Sequence, residues 1–163
     1  TYIINVWFIS YIFYLHHIMY QVIKLPRIKY TSSDITLLAR IMRAEALGEG
    51  STGMLLVGNV VVNRAKAKCP PFKKTNTIYS VVYKKGQFEG VGTPLFNKSP
   101  TKKEKDLAKA CLDYYRKWPA TNSLYFKNPG KNVSCPKNFF GPLIGRYKQH
   151  CFYGIDNVSK CHL

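Results

Sequence analysis

Residues 31–50 read TSSDITLLARIMRAEALGEG, and the phase of this stretch fixes what the rest of the chain packs against. Ser32 or Ser33 can cap a helix here, and Asp34 suits its positive N-terminal end. Leu38, Ile41 and Met42 recur at helical spacing and form an apolar stripe. Glu45 lies seven residues after Leu38, four after Ile41 and three after Met42. At about 100° per residue, it points within that stripe and not opposite it. Glu49 would continue the line, but Gly48 and Gly50 flank it and signal that the helix is ending.

The two glutamates therefore differ in kind. A carboxyl on an apolar helix face has its ionised form disfavoured by desolvation, which raises its pKa. A general acid working near neutral pH needs that property, and glycosidic bond cleavage uses such an acid to protonate the leaving oxygen. The bland alternative places Glu45 at a groove edge or pairs it with Arg40 or Arg43. Glu49 reads as a second carboxylate, a capping group or a partner for a lysine.

Working outward, Gly53 to Lys66 (GMLLVGNVVVNRAK) is apolar nearly all round and reads as a buried helix, with Gly58 permitting a close approach. Asn59 and Asn63 share one face of it. Buried amides need partners, either a carboxyl from the preceding helix or neighbouring backbone groups. KCPPFKK is a loop. TIYSVVYKKGQFEGVGTPLF reads as a short helix and then a Gly-rich loop carrying Gln87, Phe88 and Glu89, of which Glu89 can reach a shared cleft. Ser99, with Pro100 at the first helical position, starts a third long helix. Leu107, Cys111, Tyr114 and Trp118 space its inner face, and Pro119 stops it. SLYFKNPG and GRYKQHCFYG are short aromatic segments suited to strand pairing. Helices first and a small sheet late give an α+β class. Tyr125, Phe126, Phe152 and Tyr153 read mostly as core, with one or two free to form a sugar-stacking platform. His150 reads as a satisfied strand histidine, since no second His or Cys gives it metal spacing.

The 163 residues are enough for one domain with a proper core, and 46% hydrophobic and 14% aromatic content argues against disorder. With 25 basic and 8 acidic residues, the net charge of +17 attracts polyanions: nucleic acid, anionic lipid or acidic wall polymers. Most of the basic residues are lysine, they are spread along the chain, and no basic recognition helix stands out. This disfavours a nucleic-acid binder. The five cysteines match no zinc pattern and permit at most two disulfides; buried free thiols are the commoner case.

Residues 2–23 carry no formal charge and could reach across a bilayer. Asn5, Ser10, His16, His17 and Gln21 interrupt them, and neither a basic n-region nor a small-residue cleavage site frames them. Lys24, Arg27 and Lys29 follow, so an anchor here would leave the main domain in the cytoplasm. The other reading makes Met19 the true start. Two units are therefore expected: an N-terminal extension over residues 1–27, translated upstream or membrane-associated, and a catalytic domain over 28–163.

Four segments carry a family resemblance, in order: LARIMRAEALGEGSTGMLLVGNVVVNRAK (38–66), GQFEGV (86–91), WPATNSLYF (118–126) and GRYKQHCFY (145–153). Together they resemble the SleB/CwlJ-type cell-wall hydrolases of spore-forming bacteria, and the chain's ending and lack of a separate wall-binding repeat favour the CwlJ-like branch. The resemblance implies a compact lysozyme-like fold and cleavage of spore cortex peptidoglycan during germination. It needs no cofactor and no metal, places the protein in the cortex or coat region, and allows for a spore coat protein as partner. It also implies that Glu45 is the catalytic acid with Glu49 in a secondary position, and that Gln87, Phe88, Tyr125, Phe126 and Tyr153 meet the substrate. With one convincing carboxylate, a lytic transglycosylase-like mechanism is expected. The alternatives are a two-carboxylate muramidase or glucosaminidase and a non-catalytic basic wall- or coat-binding protein.

Overall fold

The computed structural model describes residues 10–12, 25–137 and 139–163. Most of the expected extension, with its apolar stretch and Met19, lies outside the described residues. Among the described residues, no helix is long and apolar enough to cross a membrane.

Helix α1 (Ser32–Ala46) is capped by Thr31 and not by Ser32 or Ser33. The Thr31 hydroxyl accepts from the Asp34 N–H, and the Asp34 carboxylate accepts from the Thr31 N–H at 2.8 Å. Asp34 thus closes a capping box as well as facing the helix dipole. A single 3₁₀ turn (Leu47–Glu49) leads into α2 (Gly50–Lys66). Gly50 sits at φ +77°, a left-handed conformation that lets the chain reverse there. Helices α3 (Ile78–Val82) and α4 (Pro94–Asn97) are short, and α5 is Lys102–Asp113. Its cap is Thr101, again in a capping box, two residues beyond the expected Ser99. It stops at Asp113, so Tyr114 and Trp118 lie past its end and are exposed.

The main core forms where α1, α2 and α5 meet, around Leu38, Ile41, Met42, Val57, Val61 and Leu112. Gly58 is what permits this meeting. A Cβ there would lie 2.7 Å from the Met42 Sδ and 2.8 Å from the Cys111 Sγ.

Asn59 and Asn63 are buried as expected, but their carboxamide oxygens meet no carboxyl. Arg27 donates to Asn59 Oδ1 at 2.5 Å and to Asn63 Oδ1 at 2.6 Å. It also donates to the carbonyls of Cys111 and Tyr115. Arg27 therefore joins the domain core, although the sequence placed it in the extension. Asn63 Nδ2 donates to the Ala120 and Ser123 carbonyls and so fixes the loop entering the sheet.

The sheet is antiparallel with order β1-β3-β2, from β1 (Tyr125–Lys127), β2 (Leu143–Tyr147) and β3 (His150–Tyr153). The two aromatic segments pair directly, Tyr125 against Tyr153 and Phe126 against Phe152. All four residues of β3 are buried. The cysteines depart from the free-thiol expectation. Cys69–Cys161 and Cys135–Cys151 are disulfides, and Cys111 alone is a free, buried thiol. The first bond ties the chain end to the loop after α2, and the second ties β3 to the loop between β1 and β2.

Candidate active site

A cleft of about 590 Å³ opens between the end of α1, the Gly-rich loop and the sheet. Glu45 lines it from α1, Gln87, Glu89 and Gly90 from the loop, and Phe126 and His150 from β1 and β3. A second chamber of about 230 Å³ adjoins it and shares Arg64, Gln87, Phe126 and Phe139 as walls, adding Lys84, Tyr125 and Phe140.

Glu45 sits at the end of the buried stripe, where the cleft cuts across the helix. Its Oε1 accepts the Gly90 N–H at 2.7 Å. Only glycine permits this contact, because a Cβ at position 90 would lie 2.8 Å from that oxygen and 2.7 Å from the Ala44 Cβ. Burial pushes the Glu45 carboxyl above the ordinary carboxylate range, and the nearby Glu89 charge adds to the rise. The Gly90 hydrogen bond and the Arg64 charge oppose it. Neither arginine of the bland alternative pairs with Glu45: Arg43 forms its ion pair with Glu104 at 3.0 Å and donates to the Leu95 carbonyl.

Glu49 does not line the cleft. It is 4% exposed, and its carboxylate accepts the Gln149 N–H at 3.2 Å and faces His150 Nδ1 at 3.7 Å. Its backbone carbonyl accepts from the Lys148 ammonium at 2.8 Å. Burial lowers the His150 pKa, while the Glu49 charge and a hydrogen bond to the Glu45 backbone carbonyl pull it back up. His150 is thus held between the two glutamates, as a strand histidine that also walls the cleft.

Of the expected sugar contacts, Gln87 and Phe126 line both chambers and Tyr125 lines the second. Phe88 lies behind the wall, 6.2 Å from the Phe126 ring and 5.0 Å from the Arg64 guanidinium. Tyr153 does not reach the cleft. It is wholly buried, and its hydroxyl donates to the Pro136 carbonyl at 3.0 Å. Its register partner Tyr125, on the edge strand β1, is covered by Phe140, which stacks on it at 5.3 Å.

Arg64 went unnoticed in the sequence. Its guanidinium lies over the rings of Phe72, Phe88 and Tyr125, and Nε donates to the Leu124 carbonyl at 2.6 Å. Burial pulls its pKa down to about 10, so it stays charged at neutral pH. The signal that could have found it is a lone arginine inside an otherwise apolar helix. Phe139 and Phe140 come from a loop whose path depends on the Cys135–Cys151 bond, which residue patterns do not reveal. Among the described residues, no group of three or more His, Cys, Asp or Glu is set to hold a metal.

The cell wall hydrolase family matches residues 48–153. The chain belongs to this family. The match begins three residues after Glu45 and so does not itself bear on that residue. The chain is 42% identical over 127 residues to the cell wall hydrolase CwlJ of Bacillus subtilis, covering 77% of this chain and 88% of that protein. It is 44% identical over 128 residues to CwlJ of Halalkalibacterium halodurans, covering 77% and 88%. The catalytic domain of the Bacillus cereus SleB protein superposes with a TM-score of 0.63 at 25% identity, over 78% of this chain and 95% of that domain. The fold is accordingly the mainly helical, lysozyme-like one expected, with a three-stranded sheet.

Proposed function

We propose that this cell wall hydrolase cleaves glycosidic bonds of spore cortex peptidoglycan during germination, with Glu45 as its general acid. The observation that carries the reading is the seat of Glu45: a carboxyl raised by burial, oriented by one backbone N–H, on the wall of an open cleft. Kinship with CwlJ and with the spore cortex-lytic enzyme of Bacillus cereus, 32% identical over 106 residues, supports the substrate. The chain spans 38% of the latter's length.

The favoured mechanism is that of a lytic transglycosylase. Glu45 gives its proton to the bridging oxygen as the C1–O bond breaks. The muramoyl C6 hydroxyl oxygen then bonds to C1, and its proton passes to the Glu45 carboxylate, which restores the acid. The substrate supplies its own nucleophile, so a second carboxylate is not needed. Burial of Glu49 against His150 supports this economy. A second reading, hydrolysis, is favoured by one observation: Glu89 lines the same cleft and acts on Glu45 electrostatically. There it would activate a water on the far side of the bond.

Mass spectrometry of fragments released from purified cortex separates the two. Anhydromuramoyl ends support transglycosylation, and reducing ends refute it. Glu45→Gln should lower turnover at least ~100-fold, the size of a general-acid contribution. Glu49→Gln should cost much less. Near-normal turnover by folded Glu45→Gln would remove this residue from the mechanism.

A further inference from the structure

A second concavity, of about 380 Å³, lies on the outer side of α1 and shares no lining residue with either chamber of the cleft. This falls within the range of ~300–1,000 Å³ usual for ligand sites. Ser32, Ser33, Thr36, Leu37 and Arg40 line it from α1, Tyr79 from α3 and Tyr83 from the C-cap of α3. The two tyrosines are 65% and 45% exposed and present adjoining ring faces to solvent. They sit one helical turn apart, with centroids 4.7 Å apart. Tyr83 is braced edge-on by Phe96, so the pair is preorganised and not merely loose on the surface. Arg40 Nε is buried beside them without a hydrogen-bond partner.

Two ring faces, three hydroxyls and an unanswered guanidinium donor match one ligand chemistry well. Sugar rings offer apolar C–H faces for stacking and oxygen-bearing edges for hydrogen bonds. An anionic helix of nucleic acid would call for clustered cations here, and Arg40 is the only cationic side chain in the lining. We infer that the Tyr79–Tyr83 face is a glycan-binding site that holds a peptidoglycan strand outside the catalytic cleft. The inference rests on reading the chain as a peptidoglycan-cleaving enzyme. Its role is retention: an enzyme acting on an insoluble polymer gains from a second hold on the same network, because the second contact raises the effective concentration of the cleft.

The test is co-sedimentation of the full chain with purified peptidoglycan, using wild type, Tyr79→Ser, Tyr79→Ala/Tyr83→Ala and Arg40→Gln. Binding is read at low salt and at roughly 0.5 M NaCl, where capture by the +17 net charge is screened. The double variant should bind at least about fivefold more weakly at high salt, as removal of a stacked aromatic contact predicts. Cleavage of short soluble fragments should stay within about twofold of wild type, while clearance of insoluble cortex slows. Tyr79→Ser guards against a folding artefact, since this side chain is mostly exposed. Unchanged high-salt binding by variants that melt like wild type would overturn the inference. So would an equal loss of turnover on soluble fragments. Sedimentation does not depend on bond cleavage. A chain that binds through these tyrosines yet releases no fragments would refute the proposed function and leave this site standing.

Discussion

Arg27→Ala should be among the most damaging single changes to the fold. The guanidinium donates to Asn59 Oδ1, Asn63 Oδ1 and the carbonyls of Cys111 and Tyr115, at 2.5–3.0 Å. A net worth of ~1.5–3 kcal/mol for each charge-assisted bond would sum to about 6–12 kcal/mol. That sum is too large, because the buried cation also bears a desolvation cost, visible in a pKa pulled down to about 10. Removing the side chain returns that cost, but it strands two amide oxygens whose residues are 0% and 1% exposed. Breaking a buried charged network in this way typically costs about 3–5 kcal/mol. For a chain of this size, that corresponds to a melting point lower by roughly 6–20 °C. Thermal and urea unfolding followed by circular dichroism measure it. Amide exchange across residues 120–124 should rise as well, since Asn63 holds that loop by its carbonyls. A loss below about 1 kcal/mol, or one fully restored by Arg27→Lys, would refute the reasoning, because a lysine cannot span four acceptors.

Three further outcomes bear on the cleft. Glu45 must be protonated to act, so kcat/KM should fall as pH rises through its elevated pKa, giving an alkaline limb above the ordinary carboxylate value of about 4.3. Arg64→Gln removes a charge that opposes the elevation, so that limb should move to higher pH; a limb unmoved in a folded variant would show that Arg64 does not act on Glu45. Gly90→Ala should lower turnover by about 10- to 100-fold in the fraction that stays folded, because the new methyl meets the Glu45 carboxyl as well as the Ala44 Cβ; wild-type turnover would show that the Gly90 contact does not position Glu45.

How much of this was legible in the sequence depends on the range of the interaction. Helical phase is local, and it placed Glu45 in the stripe and Glu49 apart from it. The buried second helix and the pairing of the aromatic strands followed from equally local patterns. The partner of Asn59 and Asn63 did not, because Arg27 reaches them from a segment whose composition looked like an extension. Tyr153 failed for a subtler reason. Alternation tells which strand residues share a face, but β3 is the central strand and all four of its residues are buried, whereas Tyr125 on the edge strand β1 lines the second chamber. The disulfides close loops of 92 and 16 residues, and such pairings depend on where the folded chain brings its ends.

Glu89 decides how the cleft spends its carboxylates. Glu49 is committed to the Gln149 N–H and faces His150, so replacing it perturbs position before chemistry. Glu89 is exposed, lines the cleft and precedes the glycine whose N–H orients Glu45. If water is the nucleophile, Glu89 is the carboxylate placed to activate it, and Glu89→Gln should cost at least ~100-fold in turnover. If the muramoyl hydroxyl is the nucleophile, Glu45 alone handles both proton transfers. Glu89→Gln then keeps turnover and still yields anhydromuramoyl ends. It also removes a like charge beside Glu45, so the alkaline limb should move to lower pH. Transglycosylation predicts retained anhydro products together with this downward shift. Loss of turnover on this one substitution would overturn it and make the protein a two-carboxylate hydrolase.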